Sequence, residues 1–94
     1  MNLDNKFKLL EHVSLTQVED ESVLLDLNSG SYYGLNPIGT QIINAIEKEA
    51  KLISHIEAIS LTYSMPIEQV RQDAEELLEQ LIEQNLVCVD SNDW

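Results

Sequence analysis

The stretch Leu24–Ile43, LLDLNSGSYYGLNPIGTQII, admits few folds, because strand, turn, strand and helix signals follow one another without a spacer. Val23, Leu25 and Leu27 alternate, so they share one face of a strand. Asn28-Ser29-Gly30 is turn chemistry, with Gly30 free to take a positive φ in a hairpin loop. Tyr33 and Leu35 alternate on the return strand, opposite Tyr32 and Gly34. Asn36-Pro37 then starts a helix: Asn accepts from backbone N–H groups left without partners, and Pro fits the first helical position. Ile38, Ile42 and Ile46 share one face of that helix.

The rest of the chain extends this unit in both directions. Residues 1–10 give no firm pattern and lead into a first strand at Val13 and Leu15. Val18 breaks the alternation before Glu19-Asp20-Glu21, which reads as a bulge followed by an acidic turn. The first helix is predicted over 37–48, with a polar connection through Lys51. The second carries Leu52, Ile56, Ile59 and Tyr63 as one buried stripe and stops at Ser64-Met65-Pro66. A third and longest helix runs from Pro66 to about Gln84, with Ile67, Val70, Ala74, Leu77, Leu78 and Leu81 as its apolar stripe. Asn85 suits a left-handed cap, and Leu86 supplies the apolar contact that accompanies one. Leu86–Val89 reads as a short terminal strand and SNDW as a loose tail. The order is β-β-β-α-α-α: an α+β, winged-helix-like arrangement, three antiparallel strands followed by three helices.

Ninety-four residues make one domain, read over 1–94 with its core at about 13–87. Seventeen acidic side chains face five basic ones, a net charge of −12. Nucleic-acid affinity rests on Lys and Arg neutralising phosphates, so this balance argues against a nucleic-acid partner and against an anionic membrane. No apolar run approaches the ~20 residues of a membrane span, and no signal peptide is visible. The lone Cys88 cannot form an internal disulfide, which fits a cytoplasmic location.

A catalytic constellation is not found. His12 and His55 have no motif around them and read as structural. Cys88 sits in an apolar run and reads as a small buried hydrophobe. The acidic residues of the third helix follow its polar face, the pattern of a solvated surface. Neither a metal-ligand spacing nor a phosphate-cradling glycine loop is present, so no cofactor is expected.

Tyr32-Tyr33 leaves two readings. Neighbouring rings on a strand point to opposite faces, so Tyr33 can fill the core while Tyr32 is half exposed. Alternatively the same strand lies at a sheet edge, with free N–H and C=O groups that accept an added strand.

LLDLNSGSYYGLNPIGTQI, a helix ending in Tyr63 and PIEQVRQDAEELLEQLIEQNLV together resemble the PqqD family, named for pyrroloquinoline-quinone biosynthesis protein D. The resemblance covers about 13–87, and its most specific part is Tyr-Tyr-Gly-Leu-Asn-Pro with Gly39 after it. Many relatives have Gly where Asn85 stands. The resemblance implies a non-catalytic recognition element for the leader of a ribosomally made, modified peptide. The leader would add as an antiparallel strand to the third strand, in a groove walled by the third helix. Carried over to matching positions, Ser31, Tyr32, Tyr33, Gly34 and Leu35 would supply the backbone contacts. Val70, Asp73, Ala74 and Leu77 would supply the wall. The implied partners are the precursor leader and a leader peptidase or modifying enzyme, and the short acidic form is similar to the free-standing lasso-peptide type.

Two rival functions remain on the residues alone. A winged-helix DNA binder would carry basic residues on its third helix, yet Arg71 is the only one between Pro66 and Asn85. A general protein adaptor would use the same sheet edge for a folded partner.

Overall fold

A computed structural model of the protein describes residues 2–90. The expected tail at Ser91-Asn92-Asp93-Trp94 lies outside them. Five strands and three helices follow in the order β1 (Lys6–Leu9), β2 (Val13–Val18), β3 (Glu21–Asp26), β4 (Tyr32–Leu35), α1 (Pro37–Glu47), α2 (Leu52–Thr62), α3 (Ile67–Glu83) and β5 (Val87–Asp90). The fold is α+β. One antiparallel sheet has the order β2-β3-β4, and a second pairs β1 with β5.

The central hairpin forms where the turn signals place it, and the face opposite the Val23-Leu25-Leu27 row is the one that turns inward. Leu24 is buried completely, whereas Val23 and Leu27 are exposed. Apolar residues stand on both faces of Val23-Leu24-Leu25, so alternation alone left the phase open. The register pairs Leu24 with Leu15 on one side and Tyr33 on the other, which makes these three the inward row. Leu27 falls beyond the end of β3. No bulge occurs at Val18: β2 pairs without interruption through Val18 opposite Glu21. Glu19, at φ 59°, makes the tight reversal instead.

The N-terminal segment departs most from expectation. Instead of a patternless lead-in, Lys6–Leu9 forms β1 against β5, with Phe7 opposite Val89 and Leu9 opposite Val87. Leu3 and Phe7 are buried among the residues of α1, α2 and α3, so the core begins well before Val13. The partner strand lies at the far end of the chain, where no local turn could announce it. Lys6 reaches Glu49 at 3.3 Å and Asp90 at 3.9 Å from this strand. Cys88 is half-buried rather than enclosed, because it faces outward with Lys8 while Val87 takes the inner position.

The helices end by one device. In α3, Asn85 (φ 64°) donates to Ile82 C=O at 3.0 Å and Leu86 N–H to Leu81 C=O at 2.9 Å, the paired bonds of a Schellman cap. Leu81 and Leu86 are both buried, which adds the apolar contact. Glu49 (φ 56°) and Ser64 (φ 52°) close α1 and α2 through the same pair of bonds, from Glu49 and Ala50 and from Ser64 and Met65. Neither residue favours that conformation, so only Asn85 was legible as a cap.

Ser64 therefore holds a left-handed conformation that costs an L-residue about 1–2 kcal/mol. Ser64→Gly should stabilise the fold by about 0.5–1 kcal/mol once glycine's greater unfolded-state freedom is subtracted. Thermal unfolding should show a midpoint raised by a few degrees, and an unchanged or lowered midpoint would contradict the strain argument.

Candidate functional site

The corner between β4 and α1 positions the strand and helix on one side of the site. Asn36 Oδ1 accepts from Gly39 N–H at 2.8 Å, and Pro37 occupies the first turn. Thr40, fully buried, shares a 2.8 Å hydrogen bond with Ser22 of β3. That bond fastens the first turn of α1 to the sheet's inner face. A Cβ at Gly39 would meet Asn36 Oδ1 at 3.3 Å and Leu77 at 3.4 Å, so glycine allows α1 to approach α3 closely.

β4 pairs only with β3, and its other side has no partner strand among the described residues. Asp26 N–H donates to Ser31 C=O at 2.9 Å. Antiparallel alternation then turns Tyr33 and Leu35 inward toward β3, and leaves the N–H and C=O of Tyr32 and Gly34 facing the open side. Ser31 is committed elsewhere, since its N–H goes to Ser29 Oγ at 3.2 Å.

Between this edge and α3 lies a cavity of about 330 Å³. Tyr33, Gly34 and Leu35 line it from β4, Ile38 and Ile42 from α1, and Asp73 and Leu77 from α3. Tyr33 O–H donates to Gln80 Oε1, bridging β4 to α3 at one end. Of the residues expected in the wall, Asp73 and Leu77 face the cavity. Val70 and Ala74 are fully buried and hold α3 in place from within. Tyr32 is 73 % exposed on the outer sheet face, beside Gly34, where an added Cβ would meet nothing within 4 Å. Asn36, Ile38, Gly39 and Ile42 also line the cavity and were not anticipated there. Their signal was the helix cap directly after the strand, which forces the first turn of α1 against the strand's end.

The hairpin loop before β4 has its own anchor. Asp26 Oδ1 accepts from Asn28 N–H at 2.9 Å and Ser29 N–H at 3.3 Å. Partial burial pushes the Asp26 pKa up, but these bonds, the Ser29 side chain and nearby His12 outweigh it, so the net shift is downward. His12 Nε2 in turn lies 2.9 Å from Asn85 C=O, tying the loop before β2 to the end of α3. Ring Nδ1 of His55 is buried without a partner among the described residues. Among those residues no cluster could hold a metal ion, and no helix is long and apolar enough to cross a membrane.

One family profile matches the chain. The sequence profile described as Coenzyme PQQ synthesis protein D (PqqD) matches residues 21–87. No curated protein matches the chain. The fold is similar to that of the solved structure "TbiB1 in Complex with the TbiA(beta) Leader Peptide", with 28% identity and a TM-score of 0.79. The match covers 90% of this chain and 99% of that one. It is also similar to "Lasso peptide synthetase B1 complexed with the leader peptide", at 23% identity and a TM-score of 0.80, covering 88% and 98% of the two chains. At that identity the second match speaks to fold alone.

Because the folded pKa of Asp26 lies below its usual 3.8, the stability its carboxylate contributes is complete above that value. It is lost as pH falls through the lower folded value. Urea unfolding in a series descending from about pH 5 should show wild-type stability falling in acid. Asp26→Asn should remove that part of the slope, and identical slopes would place the acid sensitivity elsewhere.

Proposed function

The chain belongs to the PqqD family, and on that basis we propose that it is a non-catalytic receptor for the leader of a ribosomally synthesised precursor peptide. The leader adds as an antiparallel strand to β4, beside α3, and is delivered to a leader peptidase or another modifying enzyme. The observation that carries this reading is the open edge at Tyr32 and Gly34 directly beside the cavity shared with α3. In this reading the protein is one winged-helix-like recognition domain over residues 1–94, acting in the cytoplasm of a lasso-peptide pathway. The solved structure of similar fold at 28% identity holds a leader peptide, which supports the assignment of ligand class.

The energetics suit such a role. Strand addition is tolerant of sequence, so pockets for alternate side chains must supply the selectivity. One apolar side chain buried between β4 and α3 contributes roughly 1.5–3 kcal/mol. Each edge hydrogen bond adds about 0.5–1.5 kcal/mol, and ordering a flexible leader offsets part of both. A DNA-binding role is disfavoured by the net charge of −12 and by the acidic face of α3.

Gly34→Pro gives a direct test. Its N–H faces the open side, so proline removes a donor needed for strand addition and none that β3 uses. The variant should keep its circular dichroism and melting curve yet bind at least about tenfold more weakly, about 1.4 kcal/mol. Gly34→Ala, which keeps the donor, should bind like wild type. The ligands are synthetic leaders of short precursor peptides encoded beside the gene, titrated by calorimetry. Equal binding by a folded Gly34→Pro variant would move the site off this edge. Mass spectrometry of the same peptides after long incubation should find them chemically unchanged. Cleavage by the pure protein would refute the receptor reading.

A further inference from the structure

Backbone pairing to β4 does not require a charge, yet the cavity beside it has one carboxylate in its wall. Leu35, Ile38, Ile42 and Leu77 make the apolar part of the lining, and Asp73 is the only charged residue among those that line it. Resting on the peptide-binding reading above, we propose that this cavity takes a lysine or arginine side chain of the bound leader, with Asp73 as the specificity-determining residue.

Asp73 is half-buried in α3, and one carboxylate oxygen, Oδ1, accepts from the Gln69 amide at 2.9 Å. Among the described residues no Lys, Arg or His lies within ion-pair distance of it. Arg71 is two positions away on the same helix, a spacing that does not bring side chains together. The other polar side chains of the lining are engaged: Asn36 with Gly39 N–H and Tyr33 with Gln80. Gln72 pairs instead with Glu76, one turn further along α3 and exposed. Asp73 Oδ2 is therefore the charged acceptor left to an incoming group.

The chemistry of the occupant follows from what each class of side chain would do to that carboxylate. A wholly apolar side chain would strip water from it and return no hydrogen bond, which is unfavourable. An acidic one would be repelled. A lysine or arginine lays its aliphatic stem along Leu35, Ile38 and Leu77 and carries its charge to the rim. The contact with Asp73 is then a charge-assisted hydrogen bond in a partly desolvated site. An added strand points alternate side chains toward α3, so one fixed position of the leader carries the cation.

A phage-displayed library of random peptides, selected on the purified wild-type protein and on Asp73→Asn, tests this without knowledge of the natural precursor. Wild type should enrich a strand-forming pattern with Lys or Arg at one fixed position. Asp73→Asn, which keeps a side-chain oxygen for Gln69, should enrich the same pattern without the basic position. Replacing that lysine by norleucine, which keeps the stem and removes the charge, should weaken wild-type binding about tenfold. The same replacement should change binding to Asp73→Asn by less than about twofold. Circular dichroism checks that the variant is folded. A wild-type pattern with only neutral residues, or equal losses on both proteins, overturns the role of Asp73 and leaves the receptor reading standing. Enrichment of no strand-forming pattern overturns both.

Discussion

The buried hydrogen bond between Ser22 and Thr40 joins the two halves of the site. Both hydroxyls lie in the interior, where an unpartnered one would be costly, so each fixes the other. Ser22 is directly opposite Leu35 in the ladder, and Thr40 lies one turn into α1. The pair therefore pins the helix start to β3, the strand against which the end of β4 is paired. Asn36 completes the corner by capping Gly39 N–H. With that corner set, β4 cannot rotate about its axis without breaking a buried bond. Its inward row stays packed while Tyr32 and Gly34 keep their backbone groups on the open side.

The opposite wall is held from farther away. α3 buries Val70, Ala74, Leu78 and Leu81 completely. Its end turns through Asn85 into β5, which β1 clasps. His12 reaches Asn85 C=O from the loop that precedes β2. Both sheets thus brace the C-terminal end of α3, while its middle faces the cavity across from β4. The groove stays open because its two walls are secured elsewhere, and Tyr33–Gln80 is the hydrogen bond that spans them.

Local chemistry was legible and distant pairing was not. The Asn28-Ser29-Gly30 turn, the Asn36-Pro37 cap, three amphipathic helices and the Asn85 terminus each depend on neighbours within a few residues. Their sequence signals are correspondingly direct. The inner face of β3 stayed open because Val23, Leu24 and Leu25 are all apolar, and the choice between faces is made by Leu15 and Tyr33 across the ladder. β1 was invisible because its partner is β5, nearly a chain length away. The edge character of β4 stood as one of two readings for the same reason: nothing local says whether another strand will follow. The family resemblance alone assigns Asp73 and Leu77 to the wall, since helical spacing places Leu77 in the apolar stripe and says nothing of a groove. Val70 and Ala74 share that stripe but fall on its fully buried side, a distinction that needs the helix's rotation rather than its period.

An unpaired strand edge invites pairing with another copy of the same chain, and folded proteins suppress this by keeping edges short or charged. Here the edge is short, and the whole chain rather than the edge itself carries the charge. β4 has four residues, and every copy carries a net charge of −12, so two copies approaching edge to edge repel one another. The repulsion is selective in a useful direction. It opposes self-association and contact with acidic chains, but it draws in a strand of the opposite sign. A peptide added to this edge would therefore meet a field that favours basic over acidic sequences. Asp73, half-buried in the cavity wall, lies where solvent screens its charge less than at the open surface.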